Sequence, residues 1–234
     1  MITGKTKVKL DEFELEIYSL IGNPIDRIGA TYYFDLLHET FVRAVNHLAL
    51  DSQCFHKELQ DEDFDVKRSI IQSQESIAYP MIQTLYNSYF ITIHSELESM
   101  WREVIQIYKK YYPEYSFPNK LSSQYFNSSS KNKAKRISFI DEVVRRHQIL
   151  FTYNYIRNGI VHAKKSKVCD DFKILEDCIK NNNITDIEIE DVENGFIFLI
   201  KNVDFVKKYG NEVLSFFHAI IDNSVELRRK QPCS

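Results

Sequence analysis

The chain has 234 residues, 44% of them hydrophobic and 27% charged, with a net charge of −3 at pH 7. That length supports one sizeable core, or a core with an appended subdomain, and the composition excludes a disordered chain. Only 6 Gly and 5 Pro disfavour a loop-rich all-β fold, and a net charge so near neutral excludes a surface coated in positive charge for indiscriminate nucleic-acid binding.

In chain order, residues 5–17 place Val8, Leu10, Phe13, Leu15 and Ile17 mostly at a period of two, so a strand and a short helix are equally defensible. Asn23 and Pro24 end that segment. A helical pattern then runs over 31–59 through Phe34, Leu37, Phe41, Val45, Leu48 and Phe55, closed by the acidic turn Asp61, Glu62, Asp63 and Asp65. A further short helix carries Val66, Ile70, Ile71 and Ile77. The strongest helical signal opens at Pro80, a favoured first-turn residue, and continues to about Tyr112, just before Pro113. Its stripe of Leu85, Tyr89, Phe90, Ile93, Leu97, Trp101, Val104 and Tyr108 recurs at steps of three and four and must pack against other helices.

A loop over 114–130 follows, then a helical stretch over 134–166 that breaks once near Gln148. The Asn run 181–183 reads as a loop. Beyond it Ile184, Ile187 and Ile189 alternate with polar residues, Glu193, Asn194 and Gly195 supply turn chemistry, and the apolar run 196–200 completes a β-hairpin. A last helix spans about 203–229. The expected class is mainly α, with a C-terminal β-hairpin and a closing helix. The domain reading is an N-terminal helical extension over 1–79 and a main domain over 80–234, or one continuous domain over 1–234.

No apolar run approaches the roughly 20 residues of a membrane span, and no apolar leader follows Met1, so a soluble cytoplasmic protein without membrane attachment is expected. Cys54, Cys169, Cys178 and Cys233 contain no Cys-x-x-Cys pair and suggest neither a zinc knuckle nor a disulfide framework. His38, His47, Cys54 and His56 are nine, seven and two residues apart, which is no recognised ligand spacing. No metal and no cofactor is expected.

The charge is unevenly placed. Between Lys131 and Lys167 stand ten basic residues, Lys131, Lys133, Lys135, Arg136, Arg145, Arg146, Arg157, Lys164, Lys165 and Lys167, against Asp141 and Glu142 alone. Such a segment either concentrates a polyanion such as RNA or simply solvates helix faces. Inside it runs Arg157, Asn158, Gly159, Ile160, Val161 and His162: a permanent cation, an amide and an imidazole within six residues. An Arg neutralises charge accumulating on a phosphate, and a His near its ordinary pKa moves a proton at neutral pH. At about 100° per residue, Tyr153, Ile156, Ile160 and Ala163 form the core stripe, Asn158 and His162 point away from it, and Arg157 lies at its edge. Arg157 stands roughly 140° from His162, so a symmetric second copy would have to supply what one helix lacks. Gly159 reads either as a gap for a partner's backbone or as a mere weak point in the helix.

Arg, four intervening residues and His, with a polar residue straight after the Arg, resembles the catalytic motif of the HEPN superfamily (higher eukaryotes and prokaryotes nucleotide-binding). The order of long helix, loop and Arg/His-bearing helix is similar to the HEPN core, an antiparallel helix pair in a small bundle, and hairpins and closing helices decorate its defence-associated members. The resemblance covers about 80–229, and the stretch 1–79 matches nothing nameable. It implies a HEPN-like helical bundle, and a homodimeric, metal-independent endoribonuclease of the toxin or anti-phage (abortive-infection) kind. It also implies Arg157, Asn158 and His162 as catalytic residues, RNA (transfer or messenger) as substrate, and an antitoxin or defence-system partner. Lys131, Lys133, Lys135, Arg136, Arg145, Arg146, Lys164 and Lys165 would bind RNA. The alternatives are a non-catalytic HEPN dimerisation, RNA-binding or regulatory module, and an unrelated helical interaction domain. Tyr125, Tyr153 and Tyr155 lie close to the motif as candidate base-stacking groups, though core or interface roles suit them better. His94 and Glu98, one turn apart, read as core-edge or solvated residues rather than site supports.

Overall fold

The computed structural model describes residues 11–20, 28–58, 63–115, 138–162, 176–177, 179–192 and 195–230. These form helices α1 (Glu12–Ser19), α2 (Ile28–Glu58), α3 (Phe64–Tyr111), α4 (Ser138–Arg146) and α5 (Ile149–His162), strands β1 (Ile187–Val192) and β2 (Gly195–Ile200), and helix α6 (Val203–Lys230). The fold is mainly α with a C-terminal hairpin and closing helix. Among the described residues no helix is long and apolar enough to cross a membrane.

Two compact units emerge, each assembled from separated stretches of chain. One comprises Met1–Tyr33, Leu97–Gln148 and Leu214–Ser234, the other Phe34–Glu96 and Ile149–Val213, so α2, α3 and α6 contribute to both. Residues 34–79 thus share a unit with the Arg/His motif.

In the first unit the ambiguous N-terminal segment is a helix. Asp11 accepts from the Glu14 amide at 2.8 Å while the Glu14 carboxylate accepts from the Asp11 amide at 3.2 Å, a reciprocal cap that favours helix over strand. Phe13 and Ile17, four apart, are fully buried, whereas Leu15 is exposed. Phe13 meets the edges of Tyr108, Tyr111 and Tyr112. Arg228 and Arg229 of α6 reach Asp11 and Glu14 at 2.8 and 2.9 Å. Deeper in, Tyr108 bonds Ser224, and burial holds its phenol far above the ordinary range. The expected break near Gln148 is present: the His147 amide is shared between the carbonyls of Val143 and Val144 at 3.1 and 3.2 Å, closing α4.

The second unit is built on aromatic rings. Phe90 packs against Phe205 and Tyr209, Tyr153 stacks on Tyr209 at 4.3 Å, and Phe41 stacks on Tyr89 at 4.5 Å. Pro80, expected to open a helix, lies inside α3 instead. The expected short helix and long helix are therefore one. Pro80 is exposed, so the Ser76 carbonyl deprived of its amide partner lies on a face that water reaches, and the interruption is tolerated.

A Schellman turn carries the chain into the hairpin. Ile184 donates to the Ile179 carbonyl at 3.0 Å and Asn183 to Lys180 at 3.1 Å, with Asn183 at φ 51° in the left-handed region that Asn tolerates. The strands are antiparallel, with Ile187 opposite Ile200 and Ile189 opposite Phe198, and Gly195 opens β2 rather than sitting in the turn. Ile187, Phe198 and Ile200 are buried on one face and Glu188 is exposed on the other. Asp186, just before β1, accepts from Asn202 at 3.0 Å and Lys208 at 2.7 Å, while Asn202 caps α6 through the Phe205 amide at 3.0 Å.

Candidate functional site

Helix α5 is held on the core by its apolar face. Leu150, Thr152, Tyr153 and Ile156 are all buried, Ile156 completely. Thr152 is accommodated there because its hydroxyl accepts from Asn182 at 3.1 Å. With that face committed, Arg157 is half-buried, in keeping with its edge position on the wheel; Asn158 is half-buried too, although the wheel points it away from the core stripe, and Val161 is 44% exposed. His162 is the last residue of α5, and its imidazole lies outside the described side chains.

Arg157 and Asn158 are joined directly: Arg157 Nη1 donates to Asn158 Oδ1 at 3.0 Å. A guanidinium carries only donors, so the Asn atom facing it is the oxygen, and the Asn158 amide nitrogen keeps both of its hydrogens for another acceptor. Arg157 Nε is buried and has no hydrogen-bond partner among the described residues. Apart from the buried Nε, the pair carries N–H groups and positive charge, the chemistry that receives a phosphate or carboxylate.

Gly159 meets something other than a partner chain. A Cβ built there would lie 1.9 Å from Cε2 and 2.6 Å from Cζ of Phe198, so the ring edge of the chain's own β2 occupies the place where a side chain would be. Of the two readings of Gly159, a gap for a partner's backbone or a weak point in the helix, neither describes this contact: the space is filled from within, and glycine is what lets the hairpin dock on the motif helix. The strand is pinned in turn by Gln83 of α3. Its amide donates to the Ile200 carbonyl at 3.0 Å and accepts from the Ile200 amide at 3.1 Å. Lys201 donates to Asp186 across the hairpin at 2.9 Å, so the Ile200 polar groups turn to the opposite edge, where Gln83 pairs with them as another strand would. Neither Gln83 nor Phe198 is marked by local pattern, because the contacts that define them come from elements remote in sequence.

Of the expected RNA-binding residues, Arg145 and Arg146 stand exposed on α4 in the other unit. Arg145 Nε donates to the Asp141 carbonyl at 3.2 Å and Arg146 pairs with the Glu142 carboxylate one turn back. Lys131, Lys133, Lys135, Arg136, Lys164, Lys165 and Lys167 lie outside the described residues, as do Tyr125, Cys169, Cys178, Cys233 and the side chain of Cys54. Tyr153 is a core residue, and Tyr155 is half-buried. Glu98 is exposed, as expected of a solvated position. His94 is buried rather than at the core edge, with Nδ1 2.6 Å from the Tyr209 hydroxyl. Among the described residues no three His, Cys, Asp or Glu side chains gather in a way that would hold a metal.

Comparison of the chain with protein-family models, with curated proteins and with solved structures found no match.

Proposed function

We propose that this chain is a metal-independent endoribonuclease of the HEPN type, working as a homodimer in the cytoplasm as a toxin or anti-phage effector. The observation that carries the reading is the Arg157–Asn158 pair, hydrogen-bonded at 3.0 Å on the off-core edge of α5, one turn before His162. Arg157 and the Asn158 amide would hold the scissile phosphate and offset the negative charge it gains. His162 would take the proton of the ribose 2′-hydroxyl as its oxygen attacks phosphorus; as the P–O5′ bond breaks, the resulting imidazolium, or the protonated His162 of the second copy, would give a proton to the departing 5′-oxygen. The products are a 2′,3′-cyclic phosphate and a free 5′-hydroxyl. The separation of roughly 140° between Arg157 and His162 on an ideal helix is the reason to expect two copies at one cleft.

The test is incubation of the purified protein with single-stranded RNA in excess EDTA, alongside Arg157→Ala, Asn158→Ala and His162→Ala. Cleavage to cyclic-phosphate ends by wild type, lost in Arg157→Ala and His162→Ala, is the expected result. Cleavage that requires magnesium, or that survives His162→Ala, overturns the assignment. RNA binding without cleavage would leave the non-catalytic module in its place.

A further inference from the structure

We propose that the β1–β2 hairpin is the positioning element of the Arg157–Asn158 pair, with Phe198 seated against Gly159 as the contact that sets the roll of α5 and Gln83 as the clamp that holds β2 in place. The inference rests on reading Arg157 as the phosphate-binding group.

The geometry makes this contact unusually sensitive. Gly159 directly follows the pair, so whatever meets its Cα fixes the rotation of the residues on either side. Phe198 is 4% exposed on a strand whose neighbour Ile200 is fully buried and held at both backbone polar groups by Gln83, so its ring has little freedom to swing aside. A Cβ at Gly159, 1.9 Å from the ring, would lie far inside the 3.4 Å at which ordinary contact begins. Any side chain there must be relieved mainly by motion of α5. A roll of ~10° carries a side-chain tip at ~6 Å from the helix axis by about 1 Å, and a displacement of that size at a reacting group costs on the order of a hundredfold in rate. The buried face at Tyr153 and Ile156 keeps the helix folded on the core, whereas the hairpin decides which way its edge faces.

The experiment compares Gly159→Ala, Phe198→Leu, the double variant Gly159→Ala/Phe198→Leu and Gln83→Ala, all below their unfolding temperatures. Two readouts are taken: the NMR resonances of Arg157 Nε–H and the Asn158 side-chain amide, and kcat and KM on single-stranded RNA. Leucine lacks the Cε2 and Cζ atoms that the new methyl would strike hardest, at 1.9 and 2.6 Å, and leaves only the milder 2.9 Å contact at Cδ2. Gly159→Ala is expected to move both side-chain resonances and to lower kcat about a hundredfold with KM within about threefold, a split that general destabilisation would not produce. The double variant should return the resonances toward wild type and recover at least about tenfold of kcat, the mark of direct coupling between the two positions. Gln83→Ala should shift the same resonances. If Gly159→Ala does not fold, Phe198→Leu alone decides, with displaced resonances and a kcat loss of about tenfold expected. Unmoved resonances in a folded Gly159→Ala, or a double variant no better than the single, overturn the inference. Should wild type cleave no RNA, the catalytic reading fails while the resonances still decide the positioning role.

Discussion

Removing the Gln83 amide should destabilise the second unit well beyond an ordinary surface substitution. Its two hydrogen bonds, at 3.0 and 3.1 Å, satisfy the N–H and C=O of a residue that is fully buried. A net hydrogen bond contributes about 1 kcal/mol, and a buried group left without its partner costs about 1–3 kcal/mol. Gln83→Ala is therefore expected to lose about 2–4 kcal/mol, because both Ile200 groups lose their partner together. In a protein of this size that corresponds to a fall in midpoint of roughly 4–16 °C by thermal circular dichroism at 222 nm. Gln83→Glu sharpens the test. The carboxylate still accepts from the Ile200 amide but sets a second oxygen against the Ile200 carbonyl, and only protonation restores a donor there. Its folded pKa should consequently rise above the unfolded value of about 4.3. A raised acid contributes stability that is present below the unfolded pKa and lost as pH rises through the folded one. The gap between Gln83→Glu and wild type should thus be small near pH 4 and wide near pH 7. A loss below about 0.5 kcal/mol for Gln83→Ala, the scale of an ordinary surface change, would refute the clamp.

Tyr209→Phe deletes the 2.6 Å bond to His94 inside the aromatic core and should cost about 1–2 kcal/mol in urea unfolding. At Asp186 the hydrogen bond from Lys208, then that from Asn202, holds the carboxyl below its usual 3.8. That stability is present above the unfolded pKa and lost as pH falls through the lowered folded value, so urea midpoints of wild type and Asp186→Asn should differ near pH 6 and converge once the pH is below that lowered value. If the catalytic reading holds, the cleavage rate should depend on a group titrating near the free imidazole value of about 6.5 and should fall with added salt. A rate flat across pH 5–8 would count against His162 at that step.

Much of the fold is legible in the chain because its signals are local. The alternation before Glu193 and the apolar run after Gly195 specify a two-stranded hairpin whatever it packs on, and the β1–β2 register keeps Ile187, Phe198 and Ile200 on one face. The three- and four-residue steps of α3 and α6 announce their buried stripes. One feature misread and another left open have physical reasons. Pro80 is as compatible with a helix start as with an exposed interior position, and its own sequence does not say whether a free carbonyl one turn back meets water or core. The segment ending at Ile17 has a strand-like period, yet Asp11 followed by Glu14 is a capping box, and counting that signal would have decided for the helix.

The candidate site divides along the same line. A wheel places Asn158 away from the core stripe and Arg157 at its edge because helical geometry is carried by the local chain alone; half-burial fits the edge position of Arg157, whereas Asn158 is more covered than a residue facing away from the core. What the wheel cannot carry is the absolute roll of the helix, since a rotation of the whole stripe leaves every relative angle unchanged. That roll is set by groups remote in sequence: Phe198 in the space left by Gly159, and Gln83 behind it on α3. Gly159 has an ordinary helical backbone, so its requirement for glycine comes from the ring it meets and not from any conformational demand that turn chemistry would reveal. A motif of fixed residues can therefore be present in full and still depend, for its geometry, on a strand that lies well beyond it in the chain. The substitution that separates these levels is at Gly159 itself, which alters no candidate catalytic group and removes no hydrogen bond, yet must displace the helix edge that carries the Arg157–Asn158 pair.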